Sequence, residues 1–347
     1  MSAFSTDTHN LGDLAMSHAT FVTRRKALLS VGSVATTTVL GLLPDWANAQ
    51  TDRPLRLVLP NATGSGVDAI SRAAQAALGK ALGTSVVVEN QPGAGGVVGL
   101  QTLAKAAPDG NTLSVVSNNV VIFPSVLKSL PFDMPGDFTP IAMLGSTPVV
   151  LVVNPQKVAA TNSREFVALL KSRPGELNFA SGGNGTILHL AAEMFLDEAK
   201  VSARHIPYKG VGPMVTDLIG GQVEFGTVAL PSVQQHIKSG ALRAIGMCGA
   251  QRTAAAPEIP TFVEQGLPGY VVEAWFALIG PKGLSPSNVK RIHEAVVATF
   301  NDPALKDTMA KQGNTIQISS TEQAQAMFRS EMAKYAGLVK KAKLEPE

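Results

Sequence analysis

From residue 55 onward the chain alternates short apolar runs with stretches whose apolar positions recur at helical spacing. Residues 55–59 predict a strand that ends at Pro60. Across 68–82, Ile70, Ala73, Ala74, Ala77, Leu78, Ala81 and Leu82 share one helical face. Residues 85–88 predict a second strand, 97–107 a helix and 112–116 a third strand, the run expected of half a parallel sheet. Residues 140–153 read as one long buried strand that crosses into a second half. There, predicted helices at 163–173, 186–199, 213–220 and 232–239 alternate with strands at 177–180, 203–206, 224–227 and 241–247. Residues 271–279 form the expected return strand, and amphipathic helices at 286–301 and 321–342 close the chain. The expected fold class is α/β: two domains, 50–150 plus 273–347 and 151–272, joined by two crossover strands around a ligand cleft.

The N-terminus carries a different pattern. Thr23-Arg24-Arg25-Lys26 precedes a moderately apolar stretch, and Ala47-Asn48-Ala49 gives a small-x-small cleavage site before Gln50. This order predicts a signal peptide over residues 1–49, twin-arginine-like, with a periplasmic mature protein. Met16 is an alternative start, and the general secretory route stays open because Ala27 stands where a bulky residue is usual. The lone Cys248 is far from the cleavage site, so no lipid-anchored N-terminus is expected, and no disulfide framework or multi-cysteine metal site can form within the chain. Charge adds one exclusion. With 29 basic and 26 acidic residues, a net charge of +3 and 5% aromatics, the chain has neither the basic stripe nor the stacking platform of a nucleic-acid binder.

Chemistry concentrates in three loops that run from a strand towards a helix. The first, 60–68, offers Asn61, Ala62, Thr63, Gly64, Ser65, Gly66 and Asp68 as ligand-binding candidates. Its glycines let the backbone approach a ligand, and a helix N-terminus attracts an anion. Ser65 and Asp68 have the spacing of a capping box, which makes Asp68 a brace of the loop, since its charge would repel a bound carboxylate. The second loop offers Ser181, Gly182, Asn184, Gly185 and Thr186, with His189 on the helix behind it, and the third offers Tyr208 and Lys209.

Two enzymatic readings compete. Gly64-x-Gly66-x-x-Ala69, with Glu89 twenty residues later, fits a dinucleotide fingerprint. Pro60 to Thr63, however, separate the strand from the first glycine, and an exported oxidoreductase would need its cofactor before export. Ser181 invites a nucleophile reading, but Phe179 stands where the G-x-S-x-G elbow has glycine. His189 and Glu193 share a helix face without a third ligand at metal-site spacing, and His205, His236 and His293 fall in unrelated segments. With no nucleophile–base pair or metal set in sight, the expectation is a non-enzyme without cofactor or metal.

The loops and their order resemble the solute receptors of tripartite tricarboxylate transporters, the Bug-type periplasmic binding proteins. Besides the loop ending in Asp68, the resemblance rests on Val88-Glu89-Asn90-Gln91-Pro92-Gly93-Ala94-Gly95-Gly96, Ala107-Pro108-Asp109-Gly110, and Leu130-Pro131-Phe132-Asp133 with Asp137-Phe138-Thr139-Pro140-Ile141. It continues through the 181–189 loop, His205-Ile206-Pro207-Tyr208-Lys209-Gly210, Gly220-Gly221-Gln222-Val223, Ile259-Pro260-Thr261-Phe262 and Gly266-Leu267-Pro268-Gly269-Tyr270. The resemblance implies a type II periplasmic-binding-protein fold that closes on a small organic carboxylate. It also implies binding by the first two loops through amides, hydroxyls and waters without an arginine clamp; the expected partners are membrane permease subunits or a sensor kinase, and the expected state is a monomer. Asn61 and Ser65 stand where relatives carry an aromatic and a paired glycine, and Thr227-Val228-Ala229 where relatives often carry an acidic–amide pair. A buried ammonium needs a negative partner, so the expected ligand is a carboxylate without an amino group, with an apolar or aromatic body.

Overall fold

The computed structural model describes residues 53–341 and Pro346. The expected signal peptide and its cleavage point at Ala49/Gln50 lie outside them. In the first strand, β1 (Leu55–Leu59), every side chain except Arg56 is buried. Such a run needs cover on both faces and suits the interior of a parallel sheet. β2 (Val86–Asn90) pairs with it on one side and β3 (Thr112–Ser117) on the other, both parallel.

α1 (Gly66–Leu82) links the first two strands. Ser65 starts it by accepting the Asp68 amide at 3.2 Å, and Gly83 ends it in the left-handed conformation at φ +70°. Ile70, Ala74 and Leu78, spaced by four, are buried in one cluster with Ile292, Val296 and Phe300 of α8 (Pro286–Phe300). Each fully buried Ile or Leu contributes about 1.5–3 kcal/mol, so this stripe fixes the helix, and the loop before it, against the sheet.

The first sheet also contains β4 (Phe138–Thr147), β10 (Ala274–Pro281) and the short β11 (Thr315–Ile316), in the order β11-β4-β10-β3-β1-β2. β10 is antiparallel to both β3 and β4, so this sheet is mixed where the strand–helix repeat alone suggested a parallel one. The second sheet has the order β7-β6-β8-β5-β9, built from β5 (Val149–Val153), β6 (Asn178–Ser181), β7 (Arg204–Pro207), β8 (Phe225–Ala229) and β9 (Arg243–Met247). In each sheet three parallel strands are followed by an antiparallel strand from elsewhere in the chain, β10 in one and β5 in the other. Six aromatic residues, Phe166, Phe179, Phe195, Phe225, Phe262 and Tyr270, pack the core of the second half. Phe166 meets Phe225 edge-on at 5.0 Å.

Three differences from the sequence reading bear on the site. The run at 140–153 is two strands in different sheets, divided at Pro148, where proline supplies no amide to a ladder. Residues left unassigned form α3 (Asn119–Val126), whose residues are buried except Pro124 and Ser125 and so show no helical periodicity. α9 (Pro303–Lys311) and β11 likewise lie where the hydrophobic pattern predicts no element. The remaining helices are α2 (Val97–Ala104), α4 (Ser163–Ser172), α5 (Ile187–Ala199), α6 (Val211–Ile219), α7 (Leu230–Lys238) and α10 (Thr321–Lys341). Among the described residues, no helix is long and apolar enough to cross a membrane.

Candidate functional site

Four segments that leave strands and enter helices meet beside the crossing at Pro148. They contribute Asn61 and Ala62 ahead of α1, Pro92, Gly93 and Gly95 ahead of α2, Gly182 and Thr186 ahead of α5, and Lys209 and Gly210 ahead of α6. The floor between them consists of Ser117, Thr147, Ala229, Ala274 and Phe276. Sheet register explains this gathering: Ala274 lies opposite Thr147, Phe276 opposite Ser117, and Ala229 opposite Val149, the first residue beyond the crossing. The cleft between them offers about 60 Å³ to the centres of water molecules. At roughly 10–15 Å³ per water on that measure, it holds a few waters or a short organic acid.

The starts of α1 and α5 give the cleft its electrostatic character. An α-helix leaves its first amides without intrahelical acceptors. Those of the first two positions belong here to Gly66 and Val67 in α1 and to Ile187 and Leu188 in α5, and all four residues line the cleft. Asn119 Oδ1 accepts the Ile187 amide at 2.8 Å, which leaves three of these donors for a ligand. Each helix N-terminus also carries roughly half a positive charge. Among the described residues that line the cleft, Lys209, exposed at the mouth, is the one charged side chain, and there is no aspartate or glutamate. The cleft therefore favours an anion and offers no counter-charge to an ammonium. Val67, Ile187, Leu188, Val211, Ala229 and Phe276 supply apolar walls.

Of the residues singled out from sequence, Asn61, Ala62, Ser65, Gly66, Gly182, Thr186 and Lys209 line the cleft. Thr63 and Gly64 are exposed away from it. Asp68 lies behind its loop, where its carboxylate accepts from Gly64 N at 3.0 Å, Arg72 Nε at 2.8 Å and Asn90 Nδ2 at 3.0 Å. Asn90 Nδ2 also donates to Asn61 O at 3.0 Å. Asp68 therefore braces the loop and is not among the residues that line the cleft. Ser181, Asn184, Gly185 and His189 are likewise outside the lining, and Tyr208 donates its hydroxyl to Asp217 at 2.8 Å. Burial and that bond push the Tyr208 phenol up to about 12.

One expectation needs correcting. Where the sequence offered no nucleophile–base pair, folding brings Ser181 Oγ to 2.7 Å from His205 Nε2. The His205 ring stacks on His189 at 3.8 Å and on Phe179 at 4.8 Å. Burial, with the neighbouring His189, pushes its pKa down to about 3, so it has little tendency to take a proton at neutral pH. Ser181 is fully buried, and its hydroxyl is also held by the Gly183 carbonyl at 3.1 Å and amide at 3.2 Å. The acidic residue of the dinucleotide fingerprint is engaged elsewhere. Glu89 makes a two-pronged bond to Arg56 at 2.9 and 2.8 Å, which holds its carboxyl below the usual range.

Residues that the sequence reading did not select include Pro92, Gly93, Ser117, Asn119, Thr147, Ala229, Ala274 and Phe276. The Pro92–Gly95 turn had a readable signal, since it too is glycine-rich and leads from a strand to a helix. Floor residues had none, being ordinary strand residues brought together by register. Thr147 Oγ1 and Asn61 Oδ1 are buried without a hydrogen-bond partner among the described residues.

Comparison with known proteins gives a consistent picture. The family model described as "Tripartite tricarboxylate transporter family receptor" matches residues 70–344. Protein BugT of Bordetella pertussis is 34% identical over 315 residues, covering 90% of this chain and 96% of BugT. Among solved structures, the periplasmic binding protein BugD is 29% identical with a TM-score of 0.81, covering 85% of this chain and 99% of BugD. R. palustris Rpa4515 with adipate is 26% identical with a TM-score of 0.82, covering 87% of this chain and 100% of that one. MatC (Rpa3494) from Rhodopseudomonas palustris with bound malate is 28% identical with a TM-score of 0.76, covering 83% and 99%.

Proposed function

We propose that this chain, which belongs to the tripartite tricarboxylate transporter receptor family, captures a small organic carboxylate without an amino group and hands it intact to a membrane permease. Its fold is the type II periplasmic-binding-protein fold of its structural neighbours. The observation that carries the reading is the pairing of two helix N-termini across a cleft lined by one lysine and no carboxylate. Donors at Gly66, Val67 and Leu188 suit the acid group, and the apolar walls suit the body of the ligand. Neighbours solved with adipate and malate support the same class of ligand. The mature receptor works in the periplasm, after cleavage near Ala49/Gln50, and as a monomer. Membership of the family supports a permease partner, and a sensor kinase would need the same cleft.

The Ser181–His205 contact is the feature that favours an exported enzyme. Its burial outside the cleft and the reluctance of His205 to accept a proton argue for a structural role.

Residues 50–347, stripped of bound ligand by unfolding and refolding, separate these readings in thermal-shift titrations with malate, adipate, benzoate, aspartate, glutamate and NAD. A saturable rise in Tm is expected with at least one of the three organic acids, the acid being recovered unchanged by mass spectrometry. At a concentration of 100 Kd the stabilisation is about 2.7 kcal/mol. Aspartate and glutamate are expected to bind at least about a hundredfold more weakly, because an uncompensated buried ammonium is costly. Turnover of the acid, or a shift with NAD alone, would revive the enzyme, and tight aspartate binding would refute the ligand class.

A further inference from the structure

The loops ahead of α1 and α5 share one hydrogen-bond scheme, in which the returning acceptor is a carboxylate in one and an imidazole in the other. Each cap residue donates its amide to the carbonyl three residues earlier: Ser65 to Ala62 at 3.2 Å and Thr186 to Gly183 at 3.4 Å. The cap hydroxyl accepts the amide three residues later, from Asp68 or His189, at 3.2 Å in both. The side chain of that same residue then reaches back to a glycine amide just ahead of the cap. Gly64 N donates to Asp68 Oδ2 at 3.0 Å, and Gly185 N donates to His189 Nδ1 at 3.2 Å. Both glycines are left-handed, at φ +82° and +68°. In an ordinary capping box the returning side chain takes the amide of the cap residue itself. Here it takes the amide one residue earlier, so the loop amides are consumed behind the cleft while those of the first helical turn face it.

We propose that Asp68 and His189 are equivalent positioning residues, one for each half of the carboxylate site, and that His189 serves through a neutral imidazole whose Nδ1 is the acceptor. The inference rests on the carboxylate-receptor reading. A backbone amide can only donate, so Nδ1 is unprotonated and the ring proton sits on Nε2, which faces Glu193 Oε1 at 3.6 Å. The stacked His205 ring at 3.8 Å fixes the plane of the imidazole. An aspartate here would set a second full negative charge behind the anion site, whereas the charge of Asp68 is countered by Arg72. The imidazole supplies the acceptor without the charge, leaving the positive end of α5 available to the ligand.

Three variants of residues 50–347 test this. His189→Asn places an amide oxygen where Nδ1 sits, His189→Gln places it one carbon too far, and His189→Leu removes it. Each is titrated with malate, adipate and benzoate by the fluorescence of Trp275, the one tryptophan after residue 50, adjacent to Ala274 of the cleft floor. Thermal melting reports the fold. Asn is expected to stay within about threefold of wild-type affinity and Gln and Leu to lose roughly tenfold, the effect of one lost buried hydrogen bond. If Leu does not fold, the Asn-against-Gln comparison still decides. Equal losses in Asn and Gln, or wild-type affinity in Leu, overturn the inference while leaving the receptor reading intact. A wild-type protein that binds none of the three acids overturns that reading and the inference with it.

Discussion

Gly66→Leu is expected to lower carboxylate affinity at least about a hundredfold while the protein still folds. Gly66 is the first residue of α1 and is not among the positive-φ glycines, so the helix accepts a side chain there, and leucine is a better helix former than glycine by under about 1 kcal/mol. Space in the cleft is the obstacle. A Cβ at this position lies 3.1 Å from Phe276 Cζ and 3.6 Å from Ala229 Cβ, both floor residues. The phenyl ring must give by a few tenths of an ångström, and the remaining leucine carbons occupy a cavity of about 60 Å³. Trp275 fluorescence titration reads the affinity, and circular dichroism with thermal melting reads the fold. A folded variant that binds within threefold of wild type would place the ligand somewhere other than this cleft.

The second large effect is expected from a single methyl group. Gly210, which precedes α6, approaches Ala62 of the first loop from the opposite side of the cleft, and a Cβ on it would fall 2.5 Å from Ala62 Cβ. Carbon atoms do not come that close, so the two loops must separate. Gly210→Ala is expected to weaken carboxylate binding between about tenfold and a hundredfold by holding the cleft open. Its φ of +116° adds strain of about 1–3 kcal/mol, which lowers Tm by itself. Gly240→Ala controls for an alanine at positive φ in general, with a milder strain at φ +77°, and no described atom lies within 4 Å of the added Cβ. The control should lose Tm but keep its affinity. Small-angle scattering should show wild type and control contracting with ligand and Gly210→Ala remaining extended. Equal affinity in the two alanine variants would remove the Gly210–Ala62 contact from the account.

The helix starts were legible in the sequence because capping is local chemistry. Ser65 with Asp68, and Thr186 ahead of an apolar helix, announce themselves within a few residues, and the structure places both caps at the cleft. The sequence offered Asp68 both as a ligand contact and as a brace; its capping-box spacing from Ser65 signalled the bracing bonds that the structure shows. What it missed depends on long-range register. Phe276 joins the floor because β10 returns antiparallel beside β3, some 160 residues later in the chain, and nothing near Phe276 signals this. The break at Pro148 was hidden by apolar residues on both sides, although proline was the available clue. α3 escaped because it is almost entirely buried and so has no polar face to generate a period. The same limit applies to Ser181 and His205, which sequence assigned to unrelated segments and the pairing of β6 with β7 brings together.

The central claim, a carboxylate held between the N-termini of α1 and α5, is tested most directly by a crystal structure of residues 50–347 with the tightest-binding acid of the panel. The account predicts carboxylate oxygens at about 3 Å from the amides of Gly66, Val67 or Leu188, directly or through one water, with the body of the ligand against Phe276 and Ala229. An acid bound with its carboxylate turned away from both helix starts, or seated outside the cleft, would contradict it.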